Sequence, residues 1–281
     1  MGLLIASLLQ LAALTAQAPP PPETPRPLSF QATLDAIRIT VRPGQVATRQ
    51  FRLTLDRDQQ ATQFKARVED WWRSVDGKQS FYAEAGTLRR SCGQWVSINP
   101  VESSVKPGET LTIRITVTMP VEVQVGGFWC ALTVDEVPDP LEAAGEGVGV
   151  RFVASVSTGI FVYVEPVQRE AAILAIRLDG DEARIQVRND GNAPLAIEGR
   201  IEFFAPEMTT PLATTELGRR TVLTEPSREG MLTAKLPSAR VLPSGRYRVR
   251  AVLDFGADHY VGAERELELV RGEVQERAAV P

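Results

Sequence analysis

Apolar and polar residues alternate with a period of two in short runs along most of the chain, and Gly, Pro and Asp punctuate the runs. RITVTM, residues 114–119, sets the pattern: Ile115, Val117 and Met119 point one way, and Arg114, Thr116 and Thr118 the other. Such alternation predicts antiparallel strands with one buried and one wet face. No run keeps the 3.6-residue period of a three-turn amphipathic helix. In the first half, strands are expected near 29–41, 46–56, 62–73, 94–99, 109–118, 127–136 and 149–164. After Glu165-Pro166 the pattern restarts as AILAIRL, ARIQVRN, APLAIEGRIEFF, RTVLTEP, GMLTAKL, RYRVRAVLDF and ERELELV. Pro43-Gly44 and Pro107-Gly108 read as turns, because Pro presets the first corner and Gly tolerates positive φ at the second. Asp179-Gly180 and Asp190-Gly191 read as hairpins.

The run VRFVASVSTGIFVYV, residues 150–164, is longer than an ordinary strand of about 5 or 6 residues. Val150, Phe152, Ala154, Val156, Ile160, Val162 and Val164 make one apolar face. The opposite face begins with Arg151, Val153, Ser155 and Ser157 and turns aromatic at Phe161 and Tyr163. Its second half, Ile160 to Val164, is therefore expected to be buried on both faces inside its own sandwich. A strand of this length either closes a sandwich or is offered to a partner.

At 281 residues the chain exceeds one immunoglobulin-like sandwich of about 100 residues. The fold class expected is all-β, two immunoglobulin-like β-sandwich domains in tandem, at 28–166 and 167–271, with 272–281 as a flexible tail. The apolar run Leu3 to Ala16 is too short to span a bilayer and suits the core of a signal peptide, residues 1–18, cleaved after Ala16-Gln17-Ala18. PPPPETPRP, residues 19–27, reads as an extended Pro-rich linker. Export to the periplasm or cell envelope follows, with no membrane-spanning segment in the mature chain.

A net charge of −4 supplies no basic stripe for nucleic acid or an anionic membrane surface. Cys92 and Cys130 are the only cysteines; in an exported chain the pair favours a disulfide, with two separately buried thiols as the alternative. Without neighbouring His they make no zinc site. His259, the only histidine, is expected on a surface turn beside Asp258; Asp254 and Asp258 lack EF-hand spacing for calcium. In VEDWW, Glu69 and Asp70 point to opposite strand faces, as do Trp71 and Trp72, so neither a carboxylate pair nor a sugar-stacking platform forms. One Trp is expected in the core and the other at its rim. Gly126-Gly127 leads into a strand and not into a phosphate-binding helix. The chain is thus expected to be no enzyme and to need no metal or cofactor.

IRITVRPGQ, ATRQFRLTL, QWVSINPVESSVKPGETLTIRITVTMP, GGFWCALTV and the long strand ending in VEP together resemble the N-terminal domain of PapD-like periplasmic chaperones, which assemble pili and related fibres. Trp95, Pro100, Pro107, Gly108 and Pro120 follow that family's cadence. The resemblance implies that the long strand is lent to an incomplete fibre subunit by β-strand addition, with Phe152, Ala154 and Val156 as donor side chains. It also implies that Arg38 anchors a subunit's terminal carboxylate. The family's partnering Lys is replaced by Phe161, and the second half looks like a generic periplasmic module. The function expected is a chaperone-like binding protein for an exported protein or fibre subunit, with an outer-membrane usher as a possible further partner. The alternative is a structural or adhesive surface protein built of two spacer domains.

Overall fold

The computed structural model describes residues 28–33, 35–82, 84–137 and 153–271. The first half is a sandwich of two sheets. One joins β1 (Phe30–Ala32), β3 (Val46–Leu55), β8 (Thr110–Thr118) and β6 (Val96–Asn99), in that order. The other runs β2 (Ile37–Val41), β10 (Ser155–Val164), β9 (Gly126–Val137), β4 (Thr62–Arg73) and β5 (Gln79–Tyr82), with β7 (Glu102–Val105) also on β4. The alternating apolar positions of facing strands, among them Phe51, Leu53, Ile113, Ile115, Phe128, Leu132, Ile160 and Val162, fill the space between the sheets.

The second half repeats the design. A sheet of β11 (Ala171–Asp179), β12 (Glu182–Asn189) and β15 (Glu229–Lys235) packs on one of β14 (Ala213–Val222), β13 (Leu195–Phe204), β16 (Gly245–Asp254) and β17 (Val261–Leu269). Ile185, Val187, Ile201, Phe203, Val249 and Leu253 form its core. Tyr247 closes a corner at the start of β16 by donating its hydroxyl to the Pro243 carbonyl at 2.8 Å, an arrangement frequent in immunoglobulin-like sandwiches. The chain is all-β, two such sandwiches in tandem. Among the described residues, no helix is long and apolar enough to cross a membrane.

The turn expectations hold at Pro43-Gly44 and Pro107-Gly108, where Gly44 and Gly108 both take φ of 76°. Asp179-Gly180 closes the β11–β12 hairpin. Asp190-Gly191 does not make a hairpin: the chain crosses there from the sheet of β12 to that of β13. Gly191 fits the crossing because a Cβ would lie 2.3 Å from the Gln168 carbonyl oxygen.

The expected strand 29–41 is two strands in different sheets. Thr33 still donates to Arg52 on the first sheet, at 3.0 Å, and a bend at Asp35 then delivers β2 to the second. The expected strand 94–99 begins only at Val96, because Gly93–Trp95 forms a 3-10 turn. β5 and β7 are short strands that the alternation did not signal, and β14 starts well before the RTVLTEP run. In the long run 150–164, β10 begins at Ser155; residues 150–152 lie outside the described residues, as do the signal-peptide, linker and tail segments.

Candidate partner-binding face

β10 is clasped unevenly. β9 pairs antiparallel with its whole length, whereas β2 pairs parallel with Ile160–Val164 alone. Along Ser155–Gly159 the edge away from β9 has no strand partner among the described residues. Which backbone groups face that edge follows from register. Glu136 donates its N–H to the Ala154 carbonyl at 2.9 Å, so even-numbered residues exchange bonds with β9. The main-chain groups of Ser155, Ser157 and Gly159 therefore point outward along the open edge.

The sheet's outer face beside this edge is polar. Ser155 donates to Asp135 at 2.6 Å, and the Ser157 and Thr133 hydroxyls lie 2.8 Å apart. Thr133 donates in turn to the buried Glu69 carboxylate, and Arg67 pairs with both Asp135 and Glu69. Further along β10 the same face becomes aromatic. Trp71, Trp129 and Phe161 are buried there with Ala131, and Leu223 of the second sandwich covers them. Trp71 and Phe161 meet edge to face at 6.0 Å. Each indole is fixed across the strands: Trp71 Nε1 donates to the Cys130 carbonyl at 3.1 Å, and Trp129 Nε1 to the Trp71 carbonyl at 2.8 Å. The second half of β10 is thus buried on both faces, but only one face lies in its own sandwich. Trp71, likewise, is buried outside that core, and Trp72 is a half-buried neighbour of the same cluster.

Arg38 is exposed on β2, directly opposite Phe161, with its guanidinium carbon 5.9 Å from the ring centroid. Arg169, just past the strand that ends at Val164, stands 5.8 Å from the Tyr163 ring. Burial raises the Tyr163 pKa, and the charges of Arg38 and Arg169 pull against that rise without cancelling it. Two cations therefore act on one phenol. Arg169 escaped the sequence reading; its signal was a charged residue three positions beyond the Pro166 that closes the long strand.

Of the other singled-out residues, Ala154 precedes β10 and is half-buried, Val156 is half-buried against the first core, and Phe152 lies outside the described residues. Cys92 and Cys130 are joined in a disulfide, with Cα atoms 5.4 Å apart. His259 is exposed between β16 and β17, its Nδ1 2.8 Å from Asp258. Asp254 accepts from the Gly256 N–H at 2.8 Å, the turn use expected of it. Among the described residues, no three His, Cys, Asp or Glu side chains gather to hold a metal.

The sandwiches meet at several points beyond Leu223. Arg89 forks onto Glu225, with Nε 3.0 Å from the carboxylate, and Met231 donates to the Val75 carbonyl at 2.8 Å. Gly127 donates to the Asn192 carbonyl at 2.9 Å, and Asn192 reaches the Pro166 carbonyl at 3.2 Å.

No protein-family model and no curated protein matches the chain. Among solved structures, it is similar to fimbrial chaperones. A chain from a chaperone–tip adhesin complex of CFA/I fimbriae biogenesis is 10% identical, with 85% of this chain and 98% of that chain covered, at a TM-score of 0.48. The CupB2 chaperone of Pseudomonas aeruginosa is 13% identical, with 84% and 100% covered and a TM-score of 0.44. A Salmonella enterica structure of the SafA pilin with the SafB chaperone matches at 11% identity, 88% and 99% coverage and a TM-score of 0.44.

Proposed function

We propose that this protein is an exported, chaperone-like binding protein of the cell envelope, which holds a secreted or fibre-forming subunit through edge-strand contacts of its first sandwich. One observation carries the reading: among the described residues, Ser155–Gly159 of β10 is paired along one edge only, with alternate main-chain groups turned outward along the other. An extended segment of a partner adds there as a further strand, main-chain bonds giving affinity and alternate side chains giving specificity. Phe152, Ala154 and Val156 are the donor side chains on this reading. Arg38 beside Phe161 and Arg169 beside Tyr163 suit a partner's terminal carboxylate, which charge-assisted bonds from two guanidinium groups hold better than one. Delivery of the subunit to an outer-membrane usher belongs to the same reading, and no step of it needs catalysis.

The test removes one outward N–H. Ser157→Pro deletes a main-chain donor on the open edge, where proline is best tolerated in a sheet, while Ser157→Ala removes only the hydroxyl. A partner should co-purify from the envelope fraction with the native chain and with Ser157→Ala, and be lost from Ser157→Pro. Full retention by a folded Ser157→Pro protein sinks the proposal. The packing of Val156 against its own core favours a second reading, in which β10 only closes its sandwich and the chain is a structural or adhesive spacer. On that reading no partner is recovered with the native chain.

A further inference from the structure

The hydroxyl row beside the open edge of β10 has a direction. Arg67, Thr133 and Ser157 stand directly opposite one another on β4, β9 and β10, and Ser155 faces Asp135 in the next row of the same face. Thr133 is buried and gives its one hydroxyl proton to the buried Glu69 carboxylate. A hydroxyl has a single donor and two acceptor lone pairs, so the Thr133 oxygen, 2.8 Å from that of Ser157, can only accept there. Ser157 must therefore donate inward. Ser155 does the same toward Asp135, at 2.6 Å. Both serines are exposed, and with their protons turned to β9 each presents only lone pairs along the open edge.

An excess of acid lies behind this polarity. Glu69 and Asp135 share one cation, Arg67, whose Nε lies 3.5 Å from Glu69. Lys65, in the row of Asp135, is held by Glu102 at 3.0 Å, and Arg38 sits opposite Phe161, in the half of β10 that β2 covers. A side chain on an added strand, directly opposite Ser155 or Ser157, comes within about 4.5–5.5 Å of the serine, Cβ to Cβ. A donor in that place completes the row. A carboxylate there meets lone pairs with two acids behind them.

We infer that the partner strand carries hydrogen-bond donors, Lys or Arg foremost, at the two alternate positions opposite Ser155 and Ser157, and that Asp or Glu at those positions is rejected. This specificity rests on strand addition at β10, the reading proposed above. Two peptides of about nine residues with both ends blocked, one alternating Val with Lys and the other Val with Glu, are titrated against the full chain by fluorescence anisotropy. The native chain should bind the Lys peptide at least about tenfold more tightly, since a charge-assisted bond takes the place of a repulsion. The net charge of −4 alone also favours Lys, so the deciding variants leave charge unchanged. Ser155→Ala combined with Ser157→Ala should hold both peptides by main-chain bonds and bring them within about threefold of each other. Thr133→Val frees the Ser157 proton to turn outward and should also reduce the preference. An undiminished preference in the folded variants overturns the donor rule and leaves strand addition standing, as does equal binding of the two peptides by the native chain that Ser157→Pro abolishes. If neither peptide binds the native chain, or Ser157→Pro binds them as the native chain does, strand addition fails and the donor rule with it.

Discussion

Glu202 is a carboxylate that a sheet surface has swallowed. It is 6% exposed on the outer face of β13, held by Arg200 Nε at 2.7 Å and by Arg250 Nε at 2.7 Å. Arg250 and Arg248 also stack on Phe204, each 4.9 Å from the ring centroid, so the guanidinium groups roof both the acid and the aromatic. Burial pushes the Glu202 pKa up, but the hydrogen bonds from Arg200 and Arg250, with their charges, outweigh it and hold it below the ordinary carboxylate value. A depressed folded pKa stabilises the protein above the unfolded pKa of about 4.3, and that contribution disappears as pH falls through the folded value. Glu202→Gln should therefore cost roughly 1–2 kcal/mol at neutral pH, and the gap to the native chain should narrow progressively below about pH 4. Urea unfolding at pH 7 and pH 3 measures both.

At the scale of the element, the start of β9 decides how closely the sandwiches approach. A Cβ on Gly127 would lie 2.4 Å from the Pro194 ring and 2.8 Å from Ala193. Gly127→Ala should thus cost about 1–3 kcal/mol through forced separation. Gly218→Ala, where nothing lies within 4 Å of the added carbon, should stay within about 0.5 kcal/mol, and calorimetric melting compares the two. The Gly126-Gly127 pair was legible as the entry to a strand, yet its purpose was not, since the obstacle lies more than sixty residues away. The same limit recurs elsewhere. The alternation of Arg114 to Met119 placed Ile115, Val117 and Met119 in the core, because period two is a local property. Residues 29–41 also alternate, but which sheet each half joins depends on partners that the local pattern does not name. At the candidate site, Arg38 was legible through its motif, whereas Arg169 reaches Tyr163 only because the chain turns after Pro166.

Across the whole molecule, the two cores are joined by a third apolar cluster and by the Arg89–Glu225 latch. Trp71 and Trp129 are 3% and 1% exposed in that cluster, under Leu223. Leu223→Ala should open it, costing about 2–5 kcal/mol and shifting tryptophan emission to the red before the sandwiches themselves unfold. Loss of the single cooperative transition, with each sandwich melting separately, is the second sign to look for in the same scan. An early red shift that is absent would mean that other contacts keep the indoles dry without Leu223. The second sandwich also has a role that its own core does not reveal. It lies over an aromatic patch on the first, which a chain cut at Glu165-Pro166 would present to water. Such a fragment would fold around an intact disulfide and core but carry an adhesive surface. The second half thus keeps from water an apolar patch that the first sandwich cannot bury by itself.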